Sequence, residues 1–506
     1  MGATRADTIC RINVPPCGFN VDESTSAPSQ QDDCVRDLRR SLAVLLPALD
    51  AGLIERGRVG RLCLLAALAG EHTLLIGPPG TAKSELARRL HLLFRDARYF
   101  ERLLTRFSVP EELFGPLSIR ALEQDRYERR TAGFLPEAHV AFIDEVFKAN
   151  SAILNALLTL LNEREFDNGA GRQRCPLISV IGATNSVPED EVAEAFFDRF
   201  LMRLHVQPVG AEGFVSLLKL DPALTWQGPP LPLRVSAVEI DALQRAASSV
   251  VLPADVMQVL AALRAHLAQD GVTVSDRRWV KIVWLLRIVA ASESRSAVAA
   301  WDLLLLPWCT APDAVGQAQV LQWLQTRLGV HDAWSPPRLL RIVQAFEAQL
   351  LVEQQANDLD YDETGRLRFS SSELAAEVGD AKGGAAAPRM TASRRRRYGP
   401  LHIAARTRQI DDLVRRIDGY AQELLGVQRA LEAYSRAALW LDDEQLADAQ
   451  THLHATGEAL AQLHARALQA RAGFAALPRL PPGAAEKLEP APVQHEPLVD
   501  AYRLGP

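Results

Sequence analysis

The sequence predicts an α/β core, a parallel sheet with flanking helices, followed by all-helical segments. Aromatic residues are only 6% of the 506 while 48% are apolar, and Leu, Ala and Arg recur throughout, a composition that favours helices over strands. Three short apolar runs, Thr73–Ile76, Val140–Ile143 and Leu177–Ile181, each lead into polar residues. The first runs straight into Gly-Pro-Pro-Gly and then an Ala/Leu/Arg-rich helical stretch, a strand–loop–helix order that belongs to α/β nucleotide-binding folds. In a parallel sheet the C-terminal ends of such strands share one edge, where open α/β sheets bind ligands.

The other elements follow in order. Residues 1–33 mix Pro, Ser, Gln and Asp without periodicity and are expected to be a disordered extension. From Cys34 to Leu68 apolar positions recur at helical spacing, interrupted at Asp50-Ala51-Gly52, which predicts two helices leading into the first strand of a core over 34–209. Ala152–Asn162 reads as a helix, and Asp167-Asn168-Gly169 as the tight turn of a hairpin. Residues 210–310 are helical, with breaks at Gly228-Pro229-Pro230 and Leu306-Pro307, and read as a separate helical domain. Residues 311–357 continue helically. The character changes over 358–402, with Asp358, Asp360, Asp362 and Glu363, then Gly379–Pro388, then Arg394–Arg397, as in a linker or a very small subdomain. Over 403–477, Ile410, Leu413, Ile417, Tyr420, Leu424, Val427, Leu431 and Tyr434 form one seam of threes and fours. Leu446, Ala449, Leu453, Thr456, Leu460, Leu463 and Ala467 form a second, which predicts an antiparallel helical hairpin. Residues 478–506 read as a tail.

Roughly 150 residues per domain predicts about three domains, each able to bury a core. The 56 basic and 62 acidic side chains leave a net charge of −6, which supplies no overall field for a nucleic-acid backbone, so no nucleic-acid partner is expected. Six single cysteines without a C-x-x-C pair argue against a disulfide framework and for a reducing, cytoplasmic setting. No uncharged apolar run approaches the roughly 18 residues of a membrane span, and the N-terminus lacks the apolar region of a secretory signal.

The chemistry begins at Gly77-Pro78-Pro79-Gly80-Thr81-Ala82-Lys83-Ser84. It nearly satisfies G-x-x-x-x-G-K-[ST], the P-loop in which backbone N–H groups wrap phosphate, Lys neutralises its charge and the hydroxyl holds Mg²⁺. The departure is Ala82 in place of Gly, which fits if that residue has a negative φ at the helix start. Asp144, at the end of the second strand run, is placed to bind Mg²⁺-coordinated water, and Glu145 to activate the attacking water. Asn185, after the third strand run, either orients that water or forms a turn. Arg199 lies on an apolar helical stretch, where pairing with Asp198 is the local alternative to a functional role. Arg277 lies near a helix start for which Ser275 or Asp276 is the natural N-cap, and a surface arginine is its alternative reading.

The order of these pieces resembles the AAA+ ATPases of the MoxR family, most closely the RavA subgroup, from about Gly52 to Cys309. The carriers are Gly77–Ser84 with Ala82, Leu104–Ile119, Arg126-Tyr-Glu-Arg, Gly133-Phe-Leu-Pro-Glu137, Ala152–Leu158 with Asn162-Glu-Arg164, and Ser275-Asp-Arg-Arg-Trp279. The resemblance implies hydrolysis of ATP with Mg²⁺, with Lys83 on the β/γ phosphates, Ser84 and Asp144 serving Mg²⁺, Glu145 as general base and Asn185 as sensor 1. It implies Arg199 as an arginine finger reaching the neighbouring subunit's nucleotide, Arg277 as sensor 2 of a helical lid over 210–310, and Ile54 lining the adenine pocket. It further implies that the insert between Arg106 and Phe134 faces the centre of a ring, a hexamer. The partners implied are a von Willebrand factor A-domain protein and a protein client that is remodelled or matured. Metal-chelatase motor subunits share this architecture, and related AAA+ rings move on nucleic acid. RavA proteins carry a β-rich insert in their helical domain, and the absence of a convincing set of strands over 357–400 predicts that this insert is reduced or replaced.

Overall fold

A computed structural model describes residues 28–169, 171–185, 191–220, 226–330, 335–358, 394–480 and 489–496. It divides into two compact units, Met1–Gln325 with Tyr434–Leu446, and Thr326–Ala433 with Ala447–Pro506.

In unit 1, helices α1 (Pro28–Asp50) and α2 (Gly57–Leu68) precede strand β1 (His72–Ile76), and α3 (Lys83–His91) leads to β2 (Tyr99–Leu103). Two short helices, α4 (Pro110–Phe114) and α5 (Ile119–Leu122), occupy the insert before β3 (Val140–Asp144). Then come α6 (Ser151–Glu163), the hairpin β4 (Glu165–Asp167) and β5 (Arg172–Arg174), β6 (Ser179–Thr184), α7 (Glu191–Phe197), β7 (Phe200–His205) and α8 (Ala211–Leu217). The five-stranded sheet is entirely parallel, ordered β2-β3-β6-β1-β7. Its central strands are buried along their length, and sheets covered on both faces read as continuous apolar runs. That is why β1, β3 and β6 are the strands the sequence announces. The edge strands β2 and β7 are not announced, because Glu101 and Arg102, then Arg203 and His205, break the apolar pattern. The third run is also displaced: the observed β6 starts at Ser179 rather than Leu177 and extends to Thr184.

His72 ties the sheet to α6. Its Nδ1 accepts from the Val180 N–H at 3.0 Å and its Nε2 lies 3.2 Å from the Leu161 carbonyl, which assigns the proton to Nε2. The hairpin turn is anchored by Asn168, whose Oδ1 accepts from the Arg129 N–H at 2.6 Å.

The helical part of unit 1 comprises α9 (Ala237–Ser248), α10 (Ala254–Gln269), α11 (Asp276–Ser292), α12 (Pro307–Thr310) and α13 (Ala314–Gln325). It continues past residue 310, the boundary the sequence suggests, because Gln317 on α13 donates to the Arg203 carbonyl at 2.8 Å. The helix expected to start near Cys34 begins at Pro28, inside the stretch expected to be disordered, since Pro is pre-set for a first helical turn. The rest of that expectation, over residues 1–27, lies outside the described residues. Segment Tyr434–Leu446 belongs to unit 1: Tyr434 donates to Asp302 at 2.8 Å and Trp440 to Ser292 at 2.7 Å.

Unit 2 contains α14 (Pro336–Gln355), the two-residue pair β8 (Asn357–Asp358) and β9 (Arg394–Arg395), and the long helices α15 (Pro400–Ser435) and α16 (Asp443–Ala475). Both seams are core: Ile410, Leu413, Ile417, Tyr420, Leu424 and Leu431 on α15 and Leu446, Ala449, Leu453, Leu460, Leu463 and Ala467 on α16 are buried. The helices run antiparallel, with Gln428 donating to the Leu453 carbonyl at 3.2 Å, His464 3.1 Å from Asp418 and Arg471 paired with Asp411. The expected tail is packed where it is described. Tyr398 N–H donates to the Pro478 carbonyl at 2.7 Å, and Arg406 to the Ala491 carbonyl at 2.7 Å. The reduced insert expected within 358–402 lies mostly outside the described residues. No helix among the described residues is long and apolar enough to cross a membrane.

Candidate active site

The phosphate-loop residues connect β1 to α3. Gly77 donates its N–H to the Thr184 carbonyl at 3.0 Å, locking the loop to the end of β6. A Cβ at this position would meet the Val206 carbonyl oxygen at 2.0 Å, so only Gly fits. Gly80 has a φ of +80°. Ala82 has φ +65° and ψ +22°, so the expected negative φ is incorrect. The chain must reverse immediately before the first helical turn, and Ala82 takes the left-handed conformation that a Gly would take freely. Lys83 Nζ donates to the Gly77 and Pro78 carbonyls at 2.7 and 2.8 Å, and Thr81 to the Pro78 carbonyl at 2.9 Å. Among the described residues the N–H groups of Gly80, Thr81 and Ala82 make no hydrogen bond, and those of the first turn of α3 have no partner within the helix.

The strand register brings the other expected residues to the same edge. Ile76 pairs with Thr184 and Leu103 with Asp144, so Gly77 and Asn185 follow parallel strands and Asp144 ends one, all at the same edge. Burial pulls the Lys83 ammonium below the usual lysine value, opposed by the charges of Asp144 and Glu145. Asp144 Oδ1 accepts from the Glu145 N–H at 3.0 Å. Glu145 has a φ of +53°, a strained conformation for a residue with a side chain. Its Oε1 accepts from Asn185 Nδ2 at 2.6 Å and lies 3.1 Å from Lys148 Nζ. Asn185 therefore bonds across to the second strand end.

Arg199 and Arg277 are not at this edge. Arg199 sits between α7 and Phe200, which pairs with His72 at the start of β1. Its Nη1 lies 3.4 Å from the Ala195 carbonyl and 4.0 Å from Asp198. Arg277 Nη2 donates to Asp198 Oδ2 at 2.8 Å, and Ser275 caps α11 by accepting from the Arg278 N–H at 3.3 Å. Burial alone would raise the Asp198 carboxyl, but Arg278, Arg277 and Arg203 hold it below the usual carboxylate range. Ile54 is half-buried before α2 and faces α8, where a Cβ on Gly213 would meet it at 3.0 Å.

A family model described as the MoxR domain in the MoxR-vWA-beta-propeller ternary systems matches residues 40–245, and one described as an AAA lid domain matches residues 255–324. An uncharacterized protein of Methanocaldococcus jannaschii is 39% identical over 278 residues, 53% of this chain and 70% of that protein. The chain belongs to the MoxR family of AAA+ ATPases. Protein MoxR of Paracoccus denitrificans is 29% identical over 177 residues, 34% of this chain and 51% of that protein. A solved structure from Cytophaga hutchinsonii, 16% identical, covers 58% of this chain and 96% of its own with a TM-score of 0.48.

Nucleotide binding is what an AAA+ domain implies, and the MoxR loop here fits a polyphosphate. Its unpaired N–H groups and the Lys83 ammonium supply fixed positive charge around one cradle. One residue that holds this site is not announced by the sequence. Arg56, buried, donates to the Thr81 carbonyl at 3.1 Å and the Gln207 carbonyl at 2.6 Å, fastening the loop from behind. Its one signal is position, two residues after Ile54. At the other edge Arg278 is adjacent to Arg277, and no sequence pattern distinguishes a buried arginine from an exposed neighbour.

Proposed function

We propose that this MoxR-family protein hydrolyses ATP to ADP and phosphate in a ring of identical subunits. The observation that carries the reading is the meeting of Lys83, Asp144, Glu145 and Asn185 at one sheet edge, with Glu145 and Asn185 2.6 Å apart. In this reading the loop N–H groups and Lys83 hold the β and γ phosphates. Glu145 takes a proton from the attacking water, and Asn185 holds that carboxylate and the water in register. Ser84 and Asp144 would hold Mg²⁺, which when bound neutralises charge developing on the phosphates. Asp144 suits this because its Oδ2 has no hydrogen bond among the described residues. Arg199 completes the site of a neighbouring copy. Ile54 is assigned to the adenine pocket on family resemblance.

The family description, with its von Willebrand domain and β-propeller components, supports a chaperone-like role acting on a protein client through such a partner. The RavA subgroup, a hexameric ring and a division into core, lid and helical stalk complete the proposal. Glu145→Gln is expected to bind ATP yet turn over at under a hundredth of the wild-type rate, on the order of one general-base contribution. Arg199→Ala is expected to lose turnover while keeping ATP affinity. Wild-type hydrolysis by Glu145→Gln refutes the mechanism. The same variant, loaded with ATP, is the bait for recovering a von Willebrand-domain partner and client together.

A further inference from the structure

Helix α2 starts with the wrong charge for its position. Its N-cap is Arg56, no side chain caps it, and its first turn holds Arg58 but no acidic residue. Two positive charges thus stand where the helix dipole favours negative ones. Asp50, at the end of α1, brings one carboxylate close: a Cβ on Gly57 would meet its Oδ2 at 2.6 Å. Two more come from the connection between α15 and α16. Arg58 Nε donates to Asp442 Oδ2, and its Nη2 donates to Glu444 Oε2 at 2.6 Å. Arg61, one turn on, donates to the Leu441 carbonyl at 2.8 Å.

The connection is itself firmly mounted. Besides the Tyr434 and Trp440 bonds to Asp302 and Ser292, the Leu439 N–H donates to the buried Glu293 carboxylate at 2.7 Å. Asp442 divides its oxygens: Oδ1 caps α16 by accepting from the Gln445 N–H at 2.9 Å, which leaves Oδ2 to Arg58. Asp442 is 21% exposed and Glu444 78%, so solvent screens Glu444 more and Asp442 holds Arg58 the harder. At the start of the same helix, Arg56 Nε donates to the Thr81 carbonyl. In a trans peptide the carbonyl and the following N–H point opposite ways. That bond therefore turns the Ala82 N–H, one of the unpaired donors of the phosphate loop, away from Arg56.

We propose that Asp442, assisted by Glu444, is a positioning residue for the phosphate loop. It fixes Arg58, and through the first turn of α2 it fixes the Arg56 side chain that aims the Ala82 N–H. The inference rests on the ATPase reading and gives the α15–α16 connection, more than 350 residues beyond the loop, a part in nucleotide binding. Asp442 touches no reacting group in this scheme. Its effect therefore falls on how tightly the phosphates are held rather than on the hydrolytic step.

Steady-state hydrolysis over a range of ATP concentrations tests this. Asp442→Asn combined with Glu444→Gln removes both charges yet keeps an acceptor for the Gln445 N–H, so α16 stays capped. The pair is expected to raise KM for ATP about five-fold or more, the lower end of couplings between separated sites, with a smaller change in kcat. ATP binding measured in a Glu145→Gln background should weaken by the same factor. Destabilisation alone would lower the active fraction, and with it kcat, while leaving KM in place. Arg58→Gln should raise KM equally, and combining it with the two carboxylate changes should add nothing, because all three break one contact. Arg58→Lys, which keeps the charge, should recover part of the loss. A parental KM in the folded carboxylate variant, or increases that multiply on combination, overturns the inference and leaves the ATPase reading standing. A parent protein that neither binds nor hydrolyses ATP overturns both. If the carboxylate variant does not fold, the arginine side decides: a parental KM in Arg58→Gln overturns the inference, and an increase that Arg58→Lys reduces supports it.

Discussion

Arg277 and Arg278 are consecutive on α11 and chemically identical, yet their surroundings predict opposite outcomes for the same substitution. In Arg278→Met the buried carbonyls of Cys309, Phe200, Leu201 and Asp198, now bonded at 2.5, 2.7, 2.9 and 3.0 Å, lose their donor. A buried polar group left without a partner costs about 1–3 kcal/mol. These carbonyls retain a second lone pair, so the lower end of that range applies to each. Their combined loss is about 4 kcal/mol, within the ~3–5 kcal/mol that follows removal of one partner from a buried pair. Arg277→Met breaks a contact to Asp198 that is one-third exposed on the arginine side, and after solvent screening the cost is under about 1 kcal/mol. Urea unfolding of the two variants and the parent, followed alongside steady-state ATP hydrolysis, separates them. Arg278→Met should shift the unfolding midpoint strongly. Arg277→Met should leave it near the parent's while turnover collapses. Equal stability losses, or an Arg278→Met loss below about 1 kcal/mol, would show that α11 is not fastened to the start of β7 through Arg278.

Two further outcomes follow from backbone and protonation. Ala82→Gly should stabilise by roughly 0.5–1 kcal/mol, because about 1–2 kcal/mol of left-handed strain is relieved against a smaller glycine entropy cost; a destabilised variant by thermal unfolding contradicts the φ of +65°. His72 is held neutral by burial first and by Arg164 and Lys281 next, well below the ordinary value of 6.5, so the unfolded chain takes up a proton that the folded chain refuses. Stability is therefore complete above pH 6.5 and falls by up to about 1.4 kcal/mol per pH unit below it. His72→Asn, which keeps an acceptor for Val180, should flatten that acid slope, and an unchanged slope in urea titrations at pH 5.5 and 7.5 counts against it.

The legible parts of this molecule are those where one residue type answers one local demand. β1 and β3 are legible because a sheet covered on both faces needs unbroken apolar strands, and Gly77 because a carbonyl lies where its Cβ would be. The seams of α15 and α16 are legible because their period is set by a partner helix. β2 and β7 are hidden because an edge position admits Glu101, Arg102 and Arg203. Arg203 is accommodated only by tertiary context, with Phe197 3.9 Å beneath its guanidinium and Asp198 3.8 Å away. The conformation of Ala82 is hidden for a related reason. Side-chain chemistry alone says alanine prefers a right-handed turn, and the demand that reverses it comes from the loop's closure.

Ala82 and Glu145 carry left-handed backbone at two neighbouring points of the candidate site, φ +65° and +53°, and neither is a glycine. Strain of this kind persists only where surroundings over-determine it, and here the restraints can be named. Gly77 is bonded to Thr184, Arg56 to Thr81, Lys83 to two loop carbonyls, and Asn185 to Glu145. The Gly77–Thr184 and Asn185–Glu145 bonds cross between strand ends, so the sheet's parallel register ties the loop and the carboxylate together. Arg199, at the opposite edge, is held less firmly, by one 3.4 Å bond to a carbonyl and a 4.0 Å approach to Asp198. In the proposed ring the two edges would take different duties. One would bind nucleotide in a fixed geometry and the other would offer Arg199 to a neighbour, so that turnover would depend on assembly as well as on nucleotide.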